Sequence, residues 1–214
     1  MSESIRHIIT EGLSKLNLVF APYQIEQLEN YLLLLRKWNQ AFNLVARTNS
    51  QELATRHILD SLSISKHLEG EHILDLGSGA GLPGIPLAIF NPDIRFTLLD
   101  SNGKKTRFLS HVKTDVGIQN IVIENSRAEN YQCKDQIDMV VCRAFSSLSD
   151  IVKKAQHLFS HGCKILAMKG RFPSDEISHL PPGFKVVNSV KLEVPGTNSE
   201  RHLVEIGRDE QQWP

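Results

Sequence analysis

The stretch HILDLGSGAGLPG, residues 72–84, decides the fold class of this chain. A short apolar run ends at Leu76, and four of the next eight residues are glycines: Gly77, Gly79, Gly81 and Gly84. Glycine adopts positive φ without strain and lets a ligand approach the backbone closely. The stretch therefore predicts a strand, a ligand-binding turn and a helix, in the arrangement that open α/β sheets use at their carboxyl edge.

The sequence after residue 71 alternates between strand and helix patterns. We predict strands at 72–77, 95–100, 121–128, 138–144 and 164–170, and helices at 84–90, 103–117 and 148–159. Such alternation indicates parallel strands joined by crossover helices. Two further strands, 184–194 and 201–208, are separated only by PGTNSE, so we expect them to pair antiparallel at one edge of the sheet.

The sequence before residue 71 has helical periodicity instead. Apolar residues recur three and four positions apart, and Pro22 is well placed to begin one long helix that ends near Asn43. We therefore predict a helical subdomain over residues 1–70 and an α/β domain over residues 71–214.

Composition excludes several classes of protein. The 24 basic residues balance 24 acidic ones, which argues against a chain-wide grip on nucleic acid but not against local patches. One such patch is residues 151–172, with five basic residues and no acidic one. Three cysteines are too few for a disulfide framework, and no apolar run approaches the ~20 residues of a membrane span. We expect a cytoplasmic protein with no membrane association and no obligate protein partner.

The glycine turn is compatible with two cofactors. GAGLPG, residues 79–84, matches the dinucleotide fingerprint, and Asp100 ends the second strand where a ribose hydroxyl needs an acceptor. This much fits NAD or S-adenosylmethionine. Asp75 favours the second, since a carboxylate two residues before the first glycine is a poor neighbour for a diphosphate. It suits the α-amino group of a methionine moiety, directly or through water.

Motifs along nearly the whole chain resemble the bacterial 16S rRNA guanine-N7 methyltransferases, the RsmG or glucose-inhibited division protein B family. The motifs are RKWNQAFNL (36–44), RHILDSL (56–62), ILDLGSGAGLPGIPLAI (73–89), LLDSNGKKTRFL (98–109), SRAE (126–129), CRAF (142–145) and MKG (168–170). DLGSGAG is shared by many methyltransferases, whereas the flanking motifs are more specific.

The resemblance implies a fold and a cofactor. The fold is a Rossmann-like class I methyltransferase: an α/β protein with a seven-stranded, mostly parallel sheet, one antiparallel edge strand and an N-terminal helical subdomain. The cofactor is S-adenosylmethionine, which leaves as S-adenosylhomocysteine. The residues carried over to its site, together with Asp75, are Gly77, Gly79, Leu82, Asp100, Ala128, Glu129 and Arg143.

The resemblance also implies a substrate, namely N7 of one guanine in the decoding region of 16S rRNA, within the small subunit or an assembly intermediate. Arg143 and Lys169 are then expected to position the reacting groups. N7 already carries an in-plane lone pair, so no general base is required. For RNA binding we predict Lys104, Lys105, Arg107, Arg36 and His57.

Several alternatives stay open from residues alone. The basic residues near 104–113 also suit a solvated helix face, and His57 with Asp60 also suits local packing. His157, His161 and Cys163 lack a fourth ligand, so we predict no metal site. The same sheet would also serve a methyltransferase for small molecules or proteins, or an RNA-binding module without turnover.

Overall fold

The fold is a seven-stranded sheet between two helical layers. A computed structural model describes residues 3–46, 48–159 and 162–209. The α-helices are α1 (Glu3–Lys15), α2 (Pro22–Phe42), α3 (Ser50–Glu52), α4 (Asp60–Leu62), α5 (Gly84–Phe90), α6 (Gly103–Val116), α7 (Leu148–Ala155) and α8 (Ser174–Ile177). The strands are β1 (His72–Leu76), β2 (Arg95–Leu99), β3 (Ile121–Glu124), β4 (Met139–Arg143), β5 (Lys164–Lys169), β6 (Phe184–Lys191) and β7 (His202–Arg208).

The strand order is β3-β2-β1-β4-β5-β7-β6. Strands β1 to β5 are parallel to one another, while β7 pairs antiparallel with both β5 and β6. The predicted seven-stranded sheet and its antiparallel hairpin at one edge are thus confirmed. Within that hairpin the antiparallel strand β7 lies inside and β6 forms the edge. Because the order reverses beside β1, the ends of β1, β2 and β4 enclose a crevice suited to ligands.

Successive residues of the central strands pack alternately into two hydrophobic cores, one on each face of the sheet. Ile73 and Val141 belong to the core beneath α5, α6 and the N-terminal helices, whereas Leu74 and Val140 belong to the core beneath α7. This is the period of two expected for a strand buried on both faces.

The N-terminal helices are fastened to the sheet by side chains of α2. The buried Tyr31 hydroxyl donates to the Ala80 carbonyl in the glycine turn at 2.8 Å, and burial raises the pKa of this phenol. The Gln24 amide donates to the carbonyl of Ile89 in α5, also at 2.8 Å. Trp38 packs on Phe108 of α6 with ring centroids 5.5 Å apart. Helix α2 therefore holds the turn as well as covering the sheet.

The predicted helix from Pro22 to near residue 43 is confirmed, with Asn43 as its left-handed cap. The division at residue 70 stays a prediction about folding units, because residues on both sides of it share one core. The third strand is shorter than predicted, since it ends at Glu124, and residues 128–130 form a 3₁₀ turn instead.

A continuous helical stretch spans residues 50–62, and its middle seven residues, Leu53–Leu59, are π-helical. The backbone N–H of Asp60 is directed to the carbonyls of Thr55 and His57. Widened turns of this kind occur mostly at functional positions. Across the described part of the chain, every helix is too short or too polar to cross a bilayer.

Candidate functional site

A cavity of about 330 Å³ lies at the carboxyl ends of β1, β2 and β4. Its lining residues come from the ends of β1 and β2, the segments that follow β1, β2, β3 and β4, and the helices α6 and α7: Leu76, Gly77, Leu99, Asp100, Ser101, Lys105, Ser126, Arg127, Ala128, Glu129, Ala144, Phe145 and Lys154. This volume falls in the range of about 300–1,000 Å³ that small-molecule sites occupy. We call it the switch-point pocket.

Asp100 organises the wall of this pocket next to the glycine turn. Its Oδ2 accepts from the Gly79 N–H at 2.9 Å, and its Oδ1 accepts from the Asn102 N–H at 2.8 Å. The Lys105 ammonium lies 3.6 Å from Oδ2. Oδ1 keeps one lone pair beyond its hydrogen bond. Asp100 therefore stabilises the turn and still has an oxygen that can accept a further hydrogen bond.

Asp75 lies beneath the glycine turn and is fully buried. Its Oδ2 accepts from the Gly84 N–H at 3.0 Å, while Oδ1 is buried without a hydrogen-bond partner in the described part of the chain. Burial raises the pKa of this carboxyl to about 7, although the Gly84 N–H counteracts the effect. A Cβ on Gly84 would lie 2.5 Å from Oδ2, so only glycine fits beside this carboxylate.

The opposite wall is built by the residues that follow β4. Ala144 has φ 51°, a left-handed conformation that is strained for alanine. The Phe145 ring lies against Gly77, where a Cβ would be 2.9 Å from the ring edge. The Lys154 ammonium lies 5.1 Å from the centre of that ring and 3.7 Å from Glu129 Oε1. Phe145, Lys154 and Glu129 thus form one connected rim.

Arg143 ends β4 and faces the helical stretch of residues 50–62. Its Nη1 donates to Asp60 Oδ2 at 3.0 Å and to the Arg56 carbonyl at 3.2 Å. Asp60 is almost fully buried, and its Oδ1 accepts from Arg201 Nε at 2.7 Å. One carboxylate therefore joins two guanidinium groups from β4 and from the residue before β7.

His57 contacts the same arginine. Its Nδ1 lies 3.4 Å from Arg143 Nη2, and its Nε2 is buried without a partner in the described residues. Burial and, to a lesser extent, the positive charge of Arg143 lower the pKa of His57 to about 4, so the imidazole is neutral at pH 7. His57 and Asp60 thus both contact Arg143, but His57 carries no positive charge for a phosphate.

Lys169 is engaged with the protein. Its ammonium donates to the Ser146 carbonyl at 2.9 Å and to Glu176 Oε2 at 2.8 Å. Glu176 Oε2 also accepts from the Leu148 N–H at 2.7 Å. Lys169 therefore holds the segment between β4 and α7 and lies away from the pocket wall.

Most of the predicted cofactor residues lie at one place. Gly77, Asp100, Ala128 and Glu129 line the switch-point pocket, and Gly79 is bonded to Asp100. Leu82, by contrast, is buried in the core shared with the N-terminal helices, outside the pocket lining. Asp75, beneath the glycine turn, and Arg143, at the end of β4, also lie outside that lining.

The predicted RNA-binding residues are dispersed. Lys105 lines the switch-point pocket and pairs with Asp100, whereas Lys104 and Arg107 are exposed on α6. Arg36 lines a different cavity beside the end of α2.

Sequence reasoning missed three residues of this region. Phe145 stands in the CRAF motif, which offered a signal, but no motif marks Lys154. Arg201 reaches Asp60 across 141 positions, a contact that spacing along the chain does not reveal.

The described residues contain no cluster of three or more histidine, cysteine or carboxylate groups suited to a metal ion. His157 Nε2 is hydrogen-bonded to the Tyr131 carbonyl at 2.9 Å, and His161 lies outside the described residues.

Comparison with known proteins bears directly on this pocket. Residues 24–204 match the family model described as rRNA small subunit methyltransferase G. The chain belongs to the rRNA small subunit methyltransferase G family. It is 49% identical over 201 residues to the family member of Nitrosococcus oceani, which covers 94% of each chain. It is 44% identical over 202 residues to that of Marinobacter nauticus, again 94% of each chain. The predicted family is confirmed.

Solved structures of lower identity agree on the fold. A precorrin-6y C5,15-methyltransferase from Geobacter metallireducens superposes with a TM-score of 0.52 at 14% identity, which covers 79% of this chain and 93% of the other. A Pyrococcus abyssi tRNA (uracil-54, C5)-methyltransferase in complex with S-adenosyl-L-homocysteine gives a TM-score of 0.53 at 17% identity, over 76% and 39% of the two chains. The protein therefore has the Rossmann-like class I methyltransferase fold.

Proposed function

We propose that this rRNA methyltransferase transfers the methyl group of S-adenosylmethionine to N7 of one guanine in the decoding region of 16S rRNA. The single observation that carries the proposal is the switch-point pocket, in which Asp100 and the glycine turn lie within reach of the residues that follow Arg143. The substrate is the small ribosomal subunit or an assembly intermediate, in the cytoplasm.

The residues present fit S-adenosylmethionine. Asp75 Oδ1 is a buried acceptor without a hydrogen-bond donor in the described part of the chain. The α-ammonium group of the methionine moiety would supply that donor, directly or through a water. Asp100 would accept from ribose hydroxyls, and Ala128 with Glu129 would border the adenine. Gly77 lets the Phe145 ring lie against the end of β1, where a Cβ would be 2.9 Å from the ring. When bound, the cofactor supplies an electrophilic methyl carbon on a positively charged sulfur.

The chemistry needs orientation more than proton transfer. Guanine N7 presents its lone pair in the plane of the base, so the protein must align N7 with the methyl group and exclude water. This agrees with a site whose histidine, His57, is neutral and held by Arg143.

Arg143 is suited to that alignment. Its guanidinium is fixed by Asp60 and by the Arg56 carbonyl, and its side chain is 16% exposed, which leaves part of it open to a substrate. A rigidly held guanidinium offers donors to O6 of the guanine, which leaves the N7 lone pair free, or to a phosphate. Lys169 acts through the loop that it holds, as a positioning residue.

The accessible N7 edge constrains the RNA. In an A-form duplex this edge lies in a deep, narrow groove that side chains do not read. The target guanine must therefore be unpaired, bulged or turned out of the stack. Irregular ribosomal RNA meets this requirement, and the local basic patches on an otherwise neutral chain suit a substrate recognised by its shape.

The test measures transfer of labelled methyl groups to 16S rRNA or small subunits that lack the modification. We expect wild-type protein to label RNA, and Arg143→Ala to lower kcat/KM at least tenfold while the protein stays folded. Arg95→Ala, which removes an exposed arginine paired with Asp135, is the matched control and should keep wild-type transfer. Equal rates for Arg143→Ala and the wild type would refute the role of Arg143. Label only in protein or small molecules would refute the RNA assignment.

A further inference from the structure

A second cavity, of about 400 Å³, lies at the carboxyl end of α2. It is separate from the switch-point pocket and shares no lining residue with it. The walls combine apolar side chains, Leu35, Val45 and Leu53, with the polar side chains of Arg36, Asn39, Gln40, Asn43 and Thr48. We call it the α2 cavity.

The polar side chains of this cavity have free hydrogen-bonding capacity. Asn39 uses Oδ1 to accept from the Val45 N–H at 2.8 Å, which leaves its NH₂ donors available. The Gln40 and Asn43 side chains are exposed, and their amides make no hydrogen bond to another protein group in the described part of the chain. Amide groups pair with the hydrogen-bonding edges of unpaired nucleobases, and apolar side chains sandwich the faces of such bases.

Charge at the mouth of the cavity favours an anionic ligand. Arg36 is exposed, and no carboxylate lies within ion-pair distance of it among the described residues. An arginine free of acidic partners is available to a phosphate group. A nucleotide combines the two features that the cavity selects, a planar polar base and a phosphate.

The α2 cavity also lies close to the proposed transfer site. Leu53 lines the cavity, and Arg56, three residues later in the same helical segment, accepts a hydrogen bond from Arg143. Three residues of a helix advance at most about 5 Å along its axis, the α-helical value, and a π-helical segment advances less. A nucleotide near the target guanine can therefore reach the cavity while that guanine lies at Arg143.

From these observations we infer that the α2 cavity binds an unpaired nucleotide of the rRNA substrate other than the target guanine. This inference rests on the proposed function, because it assumes an RNA acceptor. The cavity would help to select one guanine among many, since a neighbouring unpaired base would have to fill it.

The test uses two variants of the cavity and one control. Arg36→Gln removes the charge at the mouth, and Asn43→Gly removes an amide at a left-handed position, φ 48°, that glycine also adopts. Lys37→Gln removes the same charge one residue further, from a side chain that does not line the cavity. We expect each cavity variant to raise KM for RNA about tenfold with little change in kcat, cofactor affinity or melting temperature, whereas Lys37→Gln stays near wild type.

A scan with abasic RNA identifies the ligand. Acceptor RNAs carry one abasic nucleotide at successive positions around the methylated guanine. We expect one position at which base removal weakens wild-type binding about tenfold and has no further effect in Asn43→Gly, since a contact already lost cannot be lost again. The inference would be overturned if, at every position, the loss of binding from base removal and the loss from Asn43→Gly simply multiplied. It would also be overturned if both cavity variants kept the wild-type KM for RNA. If wild-type protein methylates no RNA at all, the proposed function fails first, which is a separately observed outcome.

Discussion

Replacement of Asp60 by alanine tests how the transfer site is built. Asp60 is 3% exposed and is the only carboxylate that the described residues place between Arg143 and Arg201, at 3.0 and 2.7 Å. Its removal leaves two partly buried guanidinium groups without a counter-charge. We therefore expect loss of stability together with loss of transfer.

The magnitude follows from the burial of the three groups. Breaking a buried ion pair by removing one partner costs roughly 3–5 kcal/mol. Because Arg143 and Arg201 are 16% and 22% exposed, water reaches them in part, and we take the lower end, about 3 kcal/mol. For a chain of this size each 1 kcal/mol lowers the melting temperature by roughly 2–4 °C, so Asp60→Ala should melt about 6–12 °C below the wild type.

Urea and thermal unfolding measure this change, and labelled methyl transfer measures the activity. Asp135→Asn removes an acid from the exposed pair with Arg95 and should cost less than about 1 kcal/mol. Asp60→Asn keeps the volume of the side chain and one acceptor oxygen, so a loss shared by both Asp60 variants assigns the effect to charge. A free energy of unfolding for Asp60→Ala within about 1 kcal/mol of the Asp135→Asn value would refute this reasoning.

Three further predictions concern the switch-point pocket and Asp75, which lies beneath it. Burial raises the pKa of Asp75 to about 7. Because an ammonium partner favours the charged carboxylate, cofactor affinity should rise about tenfold per pH unit up to about pH 7 and then level off. Calorimetry across this pH range checks the slope, which Asp75→Asn should remove. Asp100→Ala should weaken cofactor binding at least tenfold by titration, whereas the exposed Asp93→Ala should not. Ala144→Gly should raise the free energy of unfolding by about 1 kcal/mol, measured in urea, because glycine relieves the strain at φ 51°; an unchanged or lower value would contradict it.

The sheet was predictable because its signals are local. Each parallel strand is a short apolar run bounded by turn residues, and the alternation with helices fixes parallel connections. The linker between residues 194 and 201 is too short for a crossover helix, which was enough to predict the antiparallel hairpin. Helix α2 was equally predictable, since Pro22 begins it and the helical spacing of apolar residues continues to Phe42.

The residues at the strand ends around the pocket were predictable for a related reason. Asp75, Gly77 and Asp100 occupy strand ends whose positions follow from the fold alone. Leu82 was not, because the direction of a side chain within a turn depends on packing that spacing does not encode. It turns toward the core under the N-terminal helices.

The charged residues show the limit of motif reasoning. Lys105 and Lys169 were predicted from their neighbours in sequence, yet their ammonium groups are paired with Asp100 and with Glu176. His57 is neutral because burial, which a sequence does not report, lowers its pKa. Arg201 meets Asp60 only after the sheet brings β4 and β7 to the same end of the molecule.

The most direct measurement is a map of the methylated position after wild-type protein acts on small subunits and on naked 16S rRNA that lack the modification. Mass spectrometry of the digested RNA identifies the modified base, and reverse-transcription stops after cleavage at 7-methylguanosine locate it. The account predicts one 7-methylguanosine in the decoding region of at least one of the two acceptors, formed only with S-adenosylmethionine. Methylation of another base or another atom, or label spread over many guanines, would contradict it.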